Sequence, residues 1–345
     1  MHMADALLSP AVGGALWAAS AATLAGCSRR LRNEFDDGKI PLMGVLAAFI
    51  FAAQMINFTI PGTGSSGHLG GGMILAILLG PCAGFLAIAS VLTVQALFFA
   101  DGGLLALGCN IFNLGFFPCF VAYPLIFRPL LGRAPTRGRL LAASLVGAVA
   151  ALQLGAFFVV LQTLLSGISE LPFGPFLMLM QPIHLAIGVV EGLVTAAVVG
   201  YVWKARPDML TMPGGKVSAP GWKPVLISLA AATLLVGGIL SWFASSHPDG
   251  LEWAMFHTSG HEELAAPEAG VHRSLASLQE KTTFLPDYGF KEGETVVPVE
   301  ETEGAAAVWP VVDAGTSVSG LLGGLLTLVL VAAIGWLIKK RSRPV

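Results

Sequence analysis

Nine apolar runs, separated by turns or polar segments, leave this 345-residue chain few folds to choose from. They lie at about residues 10 to 27, 41 to 58, 70 to 80, 84 to 99, 108 to 127, 139 to 165, 182 to 203, 224 to 243 and 317 to 338. Runs of roughly 17 to 25 apolar residues are the length a helix needs to cross a bilayer. In hydrocarbon every backbone donor and acceptor must be paired within the chain, so such runs become helices. Residues 70 to 80 form a short run, closed off from the next by Gly80-Pro81, which ends a helix more readily than it continues one. With 55% hydrophobic residues, 12% charged residues and 42 glycines, the composition is that of an all-α polytopic membrane protein and not of a soluble domain.

The charges sort by side. If the N-terminus is outside, the inside segments hold 16 of the 19 basic residues, from Arg29, Arg30 and Arg32 to Lys339, Lys340, Arg341 and Arg343. The remaining three, Arg273, Lys281 and Lys291, lie between Ala244 and Thr316 with 13 of the 21 acidic residues. The division expected is a seven-span body at 1–204, a cytoplasmic linker at 205–223 rich in proline and glycine, and a two-span appendage at 224–345 around an extracytoplasmic segment, 244–316. The N-terminus is then extracytoplasmic and the C-terminus cytoplasmic. Because the charges are segregated, a net charge of −2 says nothing about nucleic acid, and no such partner is expected. The acidic segment can gather cations weakly by its field or simply solubilise a loop.

Two features carry chemistry. The chain opens Met1-His2-Met3-Ala4-Asp5, and the segment TIPGTGSSGHLGGG, Thr59 to Gly72, places His68 in a glycine-rich loop on the same side. A free Met1 amine, the deprotonated His2 amide and the His2 ring together close two small fused chelate rings. A His68 nitrogen would complete a planar set suited to Ni(II) or Cu(II), and open to Co(II). The plain alternative is a frayed terminus and an exposed loop histidine. Leu24-Ala25-Gly26-Cys27 is similar to a lipoprotein cleavage box, yet Asp5 precedes the apolar run and the arginines follow it, so an uncleaved span is expected. The bulk of His2 disfavours removal of Met1.

Other polar residues near the spans are functional candidates by default. Asn57, Thr59, Ser65, Ser66 and Asn110 are expected as outer hydrogen-bond partners of ligating imidazoles, with helix capping and turn formation as the alternative. Asp101 and Asn113 can wall a cavity from outside. His184 and Glu191, seven residues apart, share one helical face as accessory ligands, a proton pair or a structural bond, the last being favoured. Ala11, Ala15 and Ala19 form a small-residue face for helix packing or for docking a partner. The four cysteines lack CxxC spacing and read as small buried hydrophobes. No GxxxxGK[ST] phosphate loop occurs, so the chain is not its own ATPase and no enzyme activity is expected.

The opening MHMADALLSP, the loop GTGSSGHLGGG, the segment NIFNLGF and the segment PIHLAIGVVEGLVT together resemble the CbiM/NikM family, the substrate-binding membrane components of energy-coupling-factor transporters for cobalt and nickel. The segment from His247 to Glu252 (HPDGLE), followed by Pro286-Asp287-Tyr288 and a final span, resembles the CbiN/NikN auxiliary component, so the chain looks like both parts fused. The resemblance implies a metal held by Met1, His2 and His68 as cargo, with no resident cofactor. It also implies a separate transmembrane coupling protein and two ATPase subunits as partners, in a prokaryotic cytoplasmic membrane. Rival readings are an intramembrane metalloenzyme using His68, His184 and Glu191, and a carrier for a non-metal vitamin.

Overall fold

The computed structural model describes residues 2–34, 39–209, 221–291 and 309–340. Eleven principal helices are numbered here in chain order. They are α1 (Pro10–Glu34), α2 (Ile40–Gln54), α3 (Gly72–Leu79), α4 (Pro81–Phe99), α5 (Leu107–Leu131), α6 (Arg137–Ser166), α7 (Phe173–Ala205), α8 (Lys223–Gly238), α9 (Gly250–Ser259), α10 (Gly270–Thr282) and α11 (Ala314–Lys340). Six of them, α1, α4, α5, α6, α7 and α11, are long and apolar enough to cross a membrane. The chain is an all-α polytopic membrane protein.

Among the described residues the nine apolar runs become helices of unequal length, and the short run at 70 to 80 is a short helix as expected. Helices α2 and α8 are apolar but only 15 and 16 residues long. Helix α3 has eight residues, about 12 Å of rise against a hydrocarbon core of about 30 Å. The cause is local. Gly71 takes φ 75° and holds the chain out of the helix until Gly72, while Gly80 and Pro81 end it. Every residue of α3 is buried, so it packs as an inner half-helix. Helix α5 carries Pro118 and Pro124 inside wide π-helical turns, which absorb the missing N–H donors.

Helices α8 and α11 pack on α2 and on each other. Their crossing relies on glycine, because a Cβ on Gly237 would come within 3.1 Å of the Gly320 backbone. Most of the expected 205–223 linker and residues 292–308 of the acidic segment lie outside the described residues.

At one end of the bundle a hairpin of β1 (Phe58–Ile60) and β2 (Ser65–Gly67) pairs antiparallel, with Thr59 opposite Ser66. The segment before α9 joins it: Ser66 bridges Asp249 in parallel, and the Ser66 N–H donates to the Pro248 carbonyl at 2.8 Å. Trp253 of α9 donates from Nε1 to the Thr63 carbonyl at 2.9 Å, and the Ser245 N–H donates to the Asn57 carbonyl at 2.7 Å. The HPDGLE segment therefore lies over the glycine-rich loop by adding backbone to its edge.

Candidate metal centre

The start of the chain is pinned inside the bundle. Met3 is fully buried, and its N–H donates to Asn110 Oδ1 at 2.8 Å. Asn110 Nδ2 and the Gly103 N–H both donate to the Met3 carbonyl, at 3.2 and 3.0 Å. Two residues on, Asp5 Oδ1 accepts from the Ala106 N–H at 2.9 Å. Beneath Met3, Asn113 and Gln162 exchange a reciprocal amide pair at 2.9 and 3.0 Å. Leu7 and Leu8 are buried as well, so apolar burial adds to these bonds. The result is a fixed position for His2.

The loop that carries His68 is held from the other side. Glu191 of α7 accepts the Gly70 N–H at 2.8 Å on Oε2 and the Gly71 N–H at 3.1 Å on Oε1. Gln54 Nε2 donates to the Gly70 carbonyl at 2.9 Å, and Gln95 Nε2 donates to Gln54 Oε1 at 3.0 Å. A side chain at Gly70 would put its Cβ 3.0 Å from Glu191 Oε2, so glycine is what lets the clamp close.

These two anchored segments bring the His2 and His68 rings to 4.9 Å between centroids, with 8° between planes. His2 Nδ1 faces Asp101 Oδ1 at 2.8 Å, and its Nε2 is buried without a hydrogen-bond partner. The Tyr288 hydroxyl donates to Asp101 Oδ2. Burial pushes the Asp101 carboxyl up, but His2 and the Tyr288 hydroxyl outweigh it and hold the group below the usual carboxylate range. His68 donates from Nδ1 to the Leu69 carbonyl at 3.1 Å, which leaves Nε2 as the lone-pair nitrogen, 3.8 Å from Asp249 Oδ2. Burial, reinforced by neighbouring positive charge including His2, pushes the His68 pKa down to about 3. A small cavity of about 10 Å³, the room of roughly one water-sized sphere, is lined by His68, Asp249, His184, Gly70 and Gly250. Among the described residues no three His, Cys, Asp or Glu side chains close around one point.

The structure distributes the expected residues unevenly. Met1 lies outside the described residues. His2 and His68 are brought together. Asn110 holds the Met3 backbone, and Ser66 Oγ donates to the His247 carbonyl at 2.8 Å. Ser65 Oγ donates to the Ser66 carbonyl, and Thr59 Oγ1 to Ser245 Oγ. Asn57 contributes its carbonyl to Ser245. Apart from the Thr59–Ser245 hydroxyl pair these bonds secure backbone, while Asp101 meets the His2 ring and the Leu69 carbonyl meets the His68 ring. His184 donates from Nδ1 to the Met180 carbonyl at 2.8 Å, leaving a buried Nε2 without a partner. Ala11 and Ala15 face outward and Ala19 is half-buried, whereas Gly13, Ser20 and Cys27 make the buried face of α1. Sequence reading missed Asp249 and Tyr288, although the Pro-Asp-Gly and Pro-Asp-Tyr turns that carry them were visible.

A helical membrane body of this kind is shared with solved membrane transport proteins for transition metals. A crystal structure of a truncated transition metal transporter matches with a TM-score of 0.53 and 29% identity, over 59% of this chain and 99% of that one. The chain belongs to the CbiM family, since residues 2–209 match the model of the cobalt uptake substrate-specific transmembrane region. Residues 223–340 match the PDGLE domain. Relatives include the fused nickel transport protein NikMN of Rhodobacter capsulatus, 32% identical over 84% of this chain and 88% of its own length. The cobalt transport protein CbiM of Geobacter sulfurreducens is 33% identical over 69% of this chain and 72% of its own length.

Proposed function

We propose that the chain is the substrate-binding subunit of an energy-coupling-factor importer for divalent cobalt or nickel. It captures the ion with the Met1 amine, the His2 amide and ring, and His68 Nε2. The observation that carries this reading is the stacked approach of His2 and His68, each ring held by its own anchored segment. His68 is neutral over the physiological range and presents a lone-pair nitrogen, as a metal ligand must. Only His2 Nδ1 is near enough to its own amide to close a small chelate ring. Ion binding therefore takes Nδ1 from Asp101.

The capture site faces the extracytoplasmic side, in keeping with the distribution of basic residues. Energy comes from partners, a transmembrane coupling protein and two ATPase subunits, and the exposed Ala11, Ala15 face of α1 is offered to them. The metalloenzyme reading finds little support, because both Glu191 oxygens are engaged by glycine N–H groups. The cavity beside His68, about 10 Å³, is far below the roughly 300 Å³ or more of a small-molecule pocket, so this site does not suit a vitamin-sized ligand. Metal titration of the purified, untagged chain tests the reading. His2→Ala and His68→Ala are each expected to weaken Ni(II) and Co(II) binding at least about 100-fold, and unchanged binding in either would overturn it.

A further inference from the structure

A groove of about 720 Å³ lies between the start of α6 and the end of α7. That volume falls within the roughly 300 to 1,000 Å³ of ligand sites. Lys204, at its mouth, stands 20 positions beyond His184 in α7, about 30 Å along the axis. The groove therefore opens at the end of the bundle away from the candidate metal centre, which on the orientation proposed above is the cytoplasmic leaflet.

The sequence of the two helices makes the hollow. Leu193, Ala197, Gly200 and Lys204 recur at three- and four-residue intervals and share one face of α7. Small residues at 197 and 200 leave space there, and Leu140 and Leu141 of α6 wall it on the other side. The mouth carries charge of one sign. Arg137, the first residue of α6, and Lys204, in the last turn of α7, are both exposed at it. No acidic residue is among the described residues that line the groove. Asp208, just beyond it, is held by Arg206, which donates from Nε at 2.9 Å and from Nη2 at 2.6 Å. Tyr201 and Trp203 line the same mouth, amphipathic rings of the kind that sit at the headgroup level of a bilayer.

An apolar trough along a spanning helix that ends in two cations at headgroup level fits a ligand with a negative head and a hydrocarbon tail. A soluble anion would leave the leucine walls in contact with nothing apolar, and an apolar partner helix would leave both cations without a counter-charge. We propose that the groove binds an anionic phospholipid, its phosphate between Arg137 and Lys204 and an acyl chain against Leu140, Leu141 and Leu193. A guanidinium meets phosphate oxygens in a two-pronged fashion, and the lysine adds a point charge. Each cation near the membrane surface contributes about fivefold to the affinity for such a lipid. The bound lipid bridges the two ends of the α6–α7 pair. This site stands independently of the metal reading.

The test is native mass spectrometry of the full chain released from bilayers of phosphatidylcholine with a minor fraction of phosphatidylglycerol. The wild type is expected to retain phosphatidylglycerol in preference to phosphatidylcholine. Retention is expected to fall roughly 25-fold in Arg137→Ala/Lys204→Ala. Ala197→Phe, which keeps both cations and fills the trough, should lose the lipid as well. Ni(II) and Co(II) binding should be unchanged in every variant. A wild type that retains no lipid, or that retains the two lipids in proportion to their supply, overturns the proposal. So does retention in the double variant or in Ala197→Phe equal to wild type. Displacement of the lipid by soluble glycerol phosphate alone would assign the site to a free anion and overturn the acyl-chain half. If the double variant fails to fold, Lys204→Gln and Ala197→Phe decide.

Discussion

Glu191 and Gly70 lie 121 positions apart in sequence, yet the carboxylate of one accepts the backbone N–H of the other at 2.8 Å in a fully enclosed setting. Helix α7 thereby sets the shape of the loop that carries His68.

Glu191→Ala is expected to leave two buried N–H groups unpaired, at about 1–3 kcal/mol each. Thermal unfolding should shift down, and metal affinity should fall roughly 10- to 100-fold as His68 loses its fixed position. Glu191→Gln, with one acceptor oxygen instead of two, should fall between. Calorimetric metal titration of both variants checks this.

Asn110 makes the corresponding bond for the N-terminal segment, gripping Met3 through both its oxygen and its nitrogen. Asn110→Leu should cost metal affinity at least about tenfold while helix content, followed by circular dichroism, is unchanged. Asn110→Asp keeps the acceptor for the Met3 N–H and loses the donor to its carbonyl, so a smaller loss is expected.

The His68 pKa, pushed to about 3 by burial, ties stability to pH. An unfolded chain takes up a proton at His68 below about pH 6.5, whereas the folded chain does not until about pH 3. Between those values the unfolded state binds more protons, so stability falls as pH is lowered, by up to about 1.4 kcal/mol per pH unit from this group. Melting curves from pH 7 to 4 should therefore show a larger drop for wild type than for His68→Gln. Equal drops would mean that the buried imidazole is protonated in the folded state.

Packing of the C-terminal unit rests on the Gly237–Gly320 crossing. Gly320→Leu should destabilise the protein by about 1–3 kcal/mol or more through overpacking. Gly14→Ala, on an open face of α1 with nothing within 4 Å, should be near neutral. Differential scanning calorimetry of the two separates them.

Much of this was legible in the chain. The spans are written in long apolar runs that local hydrophobicity alone decides, and Met1-His2 with His68 stood out because polar chemistry is sparse around them. The short α3 was harder to read, since its length depends on the φ of Gly71. Asp249 was hidden for a different reason: it meets His68 only after α8, α11 and the HPDGLE segment have folded back over the body, 181 residues on from the loop. Ser66 and Asn110 are expected from sequence as partners of the imidazoles, but their polar atoms are spent on His247 and Met3 backbone, a choice that periodicity does not encode.

The most direct test compares the untagged chain with one extended by a single residue before Met1, measured side by side for bound Ni(II) and Co(II) after equilibrium dialysis. Ion capture through a free amine predicts about one ion per chain without the extension and essentially none with it. Equal binding in the two forms would contradict capture by the chain terminus.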